Sequence, residues 1–156
     1  MLRKTTAIIA ILALSACASA GGSNYATKPL KSSQSQLVIY RTGGGIPVPA
    51  PTLYVNGVER CDIASGGYTI VNVKPNQKVK LRLKRLGDIY PSEITAQAGA
   101  GERQFIEVGF NTGGMFAHSF TGLIGGSLID QRGSFTFSDG SESDASGTSE
   151  DLSCRR

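Results

Sequence analysis

The chain has 156 residues, of which 40% are hydrophobic, 20 are glycine and none is tryptophan. This composition is typical of a turn-rich β protein rather than a helical bundle, and the length is enough for one domain with its own core. Setting aside Arg3 and Lys4 leaves 14 basic against 12 acidic residues, an excess too small to indicate a nucleic-acid partner.

The first 16 residues have the three parts of a secretory signal peptide. Arg3 and Lys4 supply the positive start, "AIIAILAL" at 7–14 supplies the apolar centre, and two small residues precede Cys17. A membrane-spanning helix needs about 20 apolar residues, so this run is too short to be one. We therefore expect residues 1–16 to be removed on export.

The residues at the cleavage point, "LSAC" at 14–17, resemble the lipobox of bacterial lipoproteins. The resemblance implies that the Cys17 thiol forms a thioether with diacylglycerol and that its freed amine is acylated as well. Two or three acyl chains hold a protein durably at a membrane. Ala18 stands where an aspartate would retain an enterobacterial lipoprotein at the inner membrane, so we expect the outer membrane, facing the periplasm. The alternative is an ordinary signal peptide cut after Ala20.

The mature chain divides into three parts by composition. Residues 17–34 are poor in large side chains and predict a lipidated N-terminus with a flexible tether that lets the domain stand off the membrane. Residues 35–138 carry the β-type runs of one domain. Residues 139–156 are rich in Ser, Asp and Glu, which predicts an acidic, disordered tail.

Short β-type runs follow one another through the domain, with little helical pattern between them. They lie at residues 37–41, 52–55, 58–63, 68–73, 77–85, 93–98 and 104–110, and residues 133–138 add a candidate edge strand. Asn56-Gly57 predicts a type I′ hairpin turn, and the strict alternation of residues 78–84 predicts a strand with one buried face. The pattern predicts an all-β fold, a small antiparallel β-sandwich or barrel of about seven to eight strands.

A glycine-rich segment without formal charge, "VGFNTGGMFAHSFTGLIGGSLI", occupies residues 108–129. Gly122 and Gly126 form a GxxxG pair, which permits close packing of membrane helices. One interpretation is a short helix or loop that covers an open end of the sheet. The other is that residues 109–129 associate with the bilayer or with further copies of the chain.

The middle of the chain also resembles a family of small bacterial lipoproteins known by a domain of unknown function, the 2846 family. The shared motifs are "YR" at 40–41, "VNG" at 55–57, "GGY" at 66–68 and "VKP" at 73–75. The resemblance spans about residues 35–110, and Asn76 stands where glycine is expected. It implies a fold, and it carries over no chemistry.

With Cys17 assigned to lipid, Cys61 and Cys154 remain as a candidate disulfide in an oxidising compartment. Such a bridge would tie the tail to the domain. The alternative is that Cys61 is a small buried apolar residue.

A second candidate site is a cluster of basic residues around one predicted hairpin, which would contact lipid phosphates or another anionic envelope polymer. The alternative is a solvated strand face whose charges discourage aggregation. The cluster consists of Lys74, Lys78, Lys80, Arg82, Lys84 and Arg85.

No residues are proposed as catalytic or as metal ligands, and no cofactor is expected. His118 is the only histidine, without the spaced Cys or His partners of a zinc site, and phosphate-binding glycine motifs are missing. We therefore expect a non-enzymatic lipoprotein that presents a β-sandwich to an unknown envelope protein or polymer. A hydrolase would require that His118 be essential for turnover.

Overall fold

The computed structural model describes residues 22–44, 47–110, 130–131, 133–150 and 154. In these residues the chain forms two five-stranded sheets packed face to face, with one short helix. The prediction of an all-β sandwich is confirmed.

The strand bounds agree with the predicted runs to within a few residues. The strands are β1 (Ser35–Tyr40), β2 (Thr52–Val55), β3 (Val58–Asp62), β4 (Gly67–Val73), β5 (Val79–Lys84), β6 (Ser92–Ala96), β7 (Arg103–Phe110), β8 (Asp130–Gln131), β9 (Phe135–Asp139) and β10 (Ser149–Glu150), and the helix is α1 (Glu142–Ser146). The first sheet has the order β10-β4-β1-β7-β9 and the second the order β3-β2-β5-β6-β8. The pairs β1–β7 and β10–β4 are parallel, and the other neighbours are antiparallel. The two strands that were not predicted, β8 and β10, have two residues each.

The alternation of β5 is confirmed by its burial. Val79, Leu81 and Leu83 enter the core between the sheets, whereas Lys80 and Arg82 lie on the opposite face. Removing three such side chains from water contributes several kcal/mol, at about 25 cal/mol per Å² of apolar surface. This burial fixes the register of the second sheet, since a slip of one residue would place lysine in the core.

The central strand of the first sheet, β1, is buried on both faces. Leu37 and Ile39 point into the core between the sheets, and Val38 and Tyr40 belong to a second apolar cluster on the outer face. A strand buried on both sides needs apolar residues in succession, which explains why "LVIY" does not alternate with polar residues. The outer face of this sheet must therefore be covered by another part of the chain.

Both terminal segments provide that cover. The ring of Tyr25 packs edge-on against Tyr68 and Phe105, at centroid distances of 5.3 and 5.9 Å, and Ala145 of α1 is fully buried in the same cluster. The backbone N–H of Tyr25 donates to the carbonyl of Thr148 at 3.0 Å, so the two termini also bond to each other.

The prediction that residues 139–156 form a disordered tail is therefore wrong for residues 139–150. Ser141 caps α1 by accepting a hydrogen bond from the Asp144 backbone at 3.1 Å, and β10 pairs with the start of β4. The segment is polar, but backbone pairing and two buried side chains, Ala145 and Thr148, suffice to dock it. Composition alone did not reveal these long-range partners.

The flexible tether predicted for residues 17–34 also needs correction in its described part. Gly22 donates its N–H to the Glu150 carbonyl at 3.0 Å, and Asn24 forms a β-bridge with Ser149. The chain is thus held against the sandwich from residue 22 onward.

Three residues with positive φ form the two tight turns at one end of the sandwich. Asn56 and Gly57 have φ of 50° and 81° at the β2–β3 hairpin, as the Asn-Gly pair predicts, and Asn76 has φ of 59° in the β4–β5 turn. We call this the turn end. The connections β1–β2, β3–β4 and β5–β6 lie at the other end, which we call the loop end.

Candidate interaction surfaces

Cys61 and Cys154 form a disulfide in the structure, across a sequence separation of 93 residues. Cys61 lies on β3 and is buried in the core cluster, against which Cys154 packs. The bridge ties the end of the chain to the second sheet, whereas β10 ties it to the first. A loop of this length gives a stabilisation of about 2 to 4 kcal/mol by chain entropy.

The predicted basic cluster does not form one patch. Lys74 lies in the turn at the turn end, and Lys78 immediately precedes β5 there. Lys84 and Arg85 lie at the loop end, because Lys84 pairs with Thr52 at the start of β2. The length of β5 therefore separates the six cations into two terminal groups, with Lys80 and Arg82 between them.

The two central cations, Lys80 and Arg82, are paired with an acid on the neighbouring strand. Lys80 Nζ lies 2.6 Å from the Glu93 carboxylate, and Arg82 Nε lies 3.8 Å from it. The Arg82 guanidinium also stacks over the Tyr54 ring, with its carbon 5.4 Å from the ring centroid. Much of the positive field at the centre of this face is thus neutralised.

Acidic side chains also lie on the other side of β5. The Tyr54 hydroxyl donates to Glu59 at 3.2 Å, and the Thr52 hydroxyl donates to Asp62 at 2.7 Å. Partial desolvation, followed by the hydrogen bond to Glu59, raises the pKa of Tyr54. The outer face of the second sheet is a mixed-charge surface, which fits the solvated-face interpretation better than a single anion-binding site.

The β5–β6 connection at the loop end carries exposed apolar side chains that the sequence analysis did not single out. Leu86 is 99% exposed, Ile89 is 86% exposed and Tyr90 is 50% exposed. Their signal in the sequence is weak, because apolar residues in "RLGDIYP" sit among turn residues and follow no period. Only the structure shows that they are not core residues.

This connection has a defined turn that presents its side chains outward. Gly87 has φ of 95°, which a residue with a Cβ rarely adopts. The Asp88 carboxylate accepts hydrogen bonds from the Arg85 backbone, at 3.1 Å, and from the Ser134 hydroxyl, and the Asp88 N–H donates to the Arg85 carbonyl at 3.1 Å. The turn is therefore closed internally and attached to the segment that precedes β9.

A buried arginine braces the same end from within. Arg41 is only 7% exposed, and its guanidinium carbon lies 4.9 Å from the centroid of the Phe135 ring. One of its terminal nitrogens donates to the Ile63 carbonyl at 3.5 Å, and its backbone N–H donates to the Gly67 carbonyl at 2.8 Å. Burial lowers the pKa of Arg41. Its contacts join β1, the β3–β4 connection and β9, so they hold the loop end together.

Four predictions fall on residues outside those described: the signal peptide at 1–16, lipidation of Cys17, the glycine-rich segment at 111–129 and the role of His118. Within the described ranges, no group of three or more His, Cys, Asp or Glu side chains is placed to hold a metal ion. In the same ranges, no helix is long and apolar enough to cross a membrane.

No family model, no curated protein and no solved structure matches the chain. The resemblances to lipoproteins and to the 2846 family stay predictions.

Proposed function

We propose that the protein is a non-enzymatic lipoprotein of the bacterial outer membrane, anchored through acyl chains on Cys17 and presenting its β-sandwich as an interaction module in the periplasm. The observation that carries the proposal is the three-part leader that ends in "LSAC" at residues 14–17. A thiolate is the nucleophile that thioether formation requires, which gives a cysteine at this position a chemical reason.

Two features of the structure support this proposal. The Cys61–Cys154 disulfide suits an oxidising compartment such as the periplasm. In addition, the chain is docked from Gly22 onward, so four residues separate it from Cys17, and the Cα atoms of Cys17 and Gly22 can lie at most about 18 Å apart. An acylated Cys17 would hold the sandwich close to the lipid surface rather than on a long tether.

The partner that we propose is an envelope protein or an anionic envelope polymer, and the proposal includes neither nucleic acid nor a cofactor. The open surfaces of the described residues are the mixed-charge face of the second sheet and the loop end. The first sheet offers less, because its outer face is covered by the termini.

Metabolic labelling with a fatty-acid probe tests the anchor. We expect the wild-type chain to be labelled and the Cys17→Ser variant to be unlabelled. The Cys154→Ser variant keeps Cys17 and should be labelled like the wild type, which would show that Cys154 does not carry the label. An unlabelled wild-type chain that begins at Gly21 would instead establish an ordinary signal peptide cut after Ala20.

An alternative function is membrane association or self-association through residues 109–129. The position of this segment supports the alternative, because the segment is attached close to the loop end. β7 ends at Phe110 and β8 begins at Asp130, both near that end. A chain that begins at Ala18 carries no acyl group and separates the two functions. It should be monomeric under the first proposal, whereas a stable oligomer would favour the alternative.

A further inference from the structure

We infer that the β5–β6 loop is a second membrane contact, which inserts Leu86 and Ile89 into the interfacial layer of an anionic bilayer. Three of the four large hydrophobic side chains that are strongly exposed in the described residues lie in this loop, within five positions of one another. Scattered exposed apolar residues are ordinary on a protein surface, but such a concentration marks a contact site.

The loop has the chemistry of an interfacial lipid contact. Leu86 and Ile89 are wholly apolar, and Tyr90 has the apolar ring and polar tip that favour the headgroup region. Lys84 and Arg85 directly precede them, where their cations can reach lipid phosphates while the apolar side chains insert. Asp88 is the opposite charge within the loop, and its carboxylate accepts hydrogen bonds from the Arg85 backbone N–H and the Ser134 hydroxyl.

The internal hydrogen bonds of the loop reduce the entropic cost of binding. The turn is closed by Asp88 and attached to Ser134, and Gly87 supplies the conformation it needs. A preorganised loop loses less conformational freedom on insertion than a flexible one. The same bonds oppose collapse of Leu86 onto the protein surface.

The position of the loop favours a bilayer over a protein partner. The Gly22 N–H donates to the Glu150 carbonyl, and Glu150 pairs with Tyr68 near the beginning of β4. Because β4 begins at the loop end, Gly22 lies near that end as well. This step depends on the proposed function: if Cys17 is acylated, the four residues between it and Gly22 keep the loop end near the lipid surface. The turn end carries Val58 as its one strongly exposed large hydrophobic among the described residues, and it lies the length of β5 away.

The absence of tryptophan allows a direct test. We propose two single-tryptophan variants of the full mature protein, Ile89→Trp at the loop end and Val58→Trp at the turn end, reconstituted in phosphatidylglycerol vesicles that contain brominated lipid. The native side chains are 86% and 64% exposed, so both indoles should begin in water. We expect a blue shift and severalfold stronger bromine quenching at position 89 than at position 58.

Two double variants that remove cations from opposite ends of the sandwich provide a second matched comparison. The double variant Lys84→Gln with Arg85→Gln should weaken quenching at position 89 severalfold in phosphatidylglycerol and have little effect in phosphatidylcholine. Lys74→Gln with Lys78→Gln removes the same charge from the turn end and should leave the signal unchanged.

Equal quenching at positions 58 and 89 would overturn the inference. A blue-shifted indole at position 89 in native envelopes, without bromine quenching in pure lipid, would also overturn it, because that result assigns the loop to a protein partner. The mass of the N-terminal peptide reports acylation independently. An unacylated chain whose indole at position 89 still responds to phosphatidylglycerol would contradict the proposed anchor and support the loop contact.

Discussion

The two sheets of the sandwich share one core but differ on their outer faces. The first sheet is covered by both termini, and its central strand is buried on each side. The second sheet exposes a row of charged and aromatic side chains, in which Arg82 lies between Glu93 and the ring of Tyr54. The terminal segments are therefore structural parts of the first sheet, whereas the outer face of the second sheet is open to solvent.

Two tyrosines on the outer faces give the largest contrast. Tyr40 on β1 is fully buried, so Tyr40→Ala should cost about 3 to 5 kcal/mol of unfolding free energy through lost burial and a cavity. Tyr54 on β2 is partly exposed, so Tyr54→Ala should cost about 1 kcal/mol. Urea denaturation measures both, and equal losses would show that the outer face of the first sheet is not a second core.

The disulfide gives the next effect. Replacing both Cys61 and Cys154 by serine should lower the unfolding free energy by about 2 to 4 kcal/mol, because the unfolded chain regains the freedom of a long loop. The reduced wild-type protein should lose a similar amount. A double variant as stable as the oxidised protein would contradict the role of the bridge in holding the C-terminal segment.

A smaller effect comes from the Tyr40 hydroxyl, which accepts a hydrogen bond from the Ser141 backbone at 3.0 Å. Tyr40→Phe leaves that donor unpaired near the cap of α1 and should cost about 1 kcal/mol at neutral pH. In this variant, hydrogen exchange of the α1 backbone amides should accelerate more than that of the other backbone amides. An unchanged exchange rate there would show that the hydroxyl does not hold the helix in place.

The same hydroxyl makes stability depend on alkaline pH. Burial raises the pKa of Tyr40 above 10.0, so the folded state retains a proton that the unfolded state loses. Its contribution is complete below pH 10 and is lost as the pH rises through the folded-state pKa. The Tyr40→Phe variant should therefore lose less stability than the wild type between neutral pH and the alkaline range, as followed by circular dichroism.

The smallest effect concerns the open face. Glu93→Gln removes the partner of Lys80 and Arg82, and because both pairs are partly exposed it should cost at most about 1 kcal/mol. The loss should shrink in high salt. A large, salt-independent loss would mean that contacts on this face stabilise the fold as strongly as those on the covered outer face of the first sheet.

The strands were predictable because their signals are local. Alternation along β5 and the Asn56-Gly57 turn depend on neighbouring residues, and they fixed the fold class before any long-range contact was known. The order of the sheets was not predictable, since the parallel pairing of β1 with β7 joins segments far apart in the chain.

The candidate sites were less predictable, for the same physical reason. The docking of the termini depends on a few side chains, Tyr25 and Ala145 among them, and on backbone bonds that have no sequence signature. The basic residues were found, but their division between two ends and their pairing with Glu93 follow from strand register. Exposure of Leu86 and Ile89 could not be read from residue types that usually lie in cores.

We propose that Cys17 carries the lipid that places this sandwich at the outer membrane. Intact-mass analysis of the protein extracted from outer-membrane fractions tests it most directly. We expect a mature chain that begins at Cys17, heavier than its sequence by a diacylglyceryl group and an amide-linked acyl chain. A chain that begins at Gly21, with the mass of its unmodified residues, would contradict it.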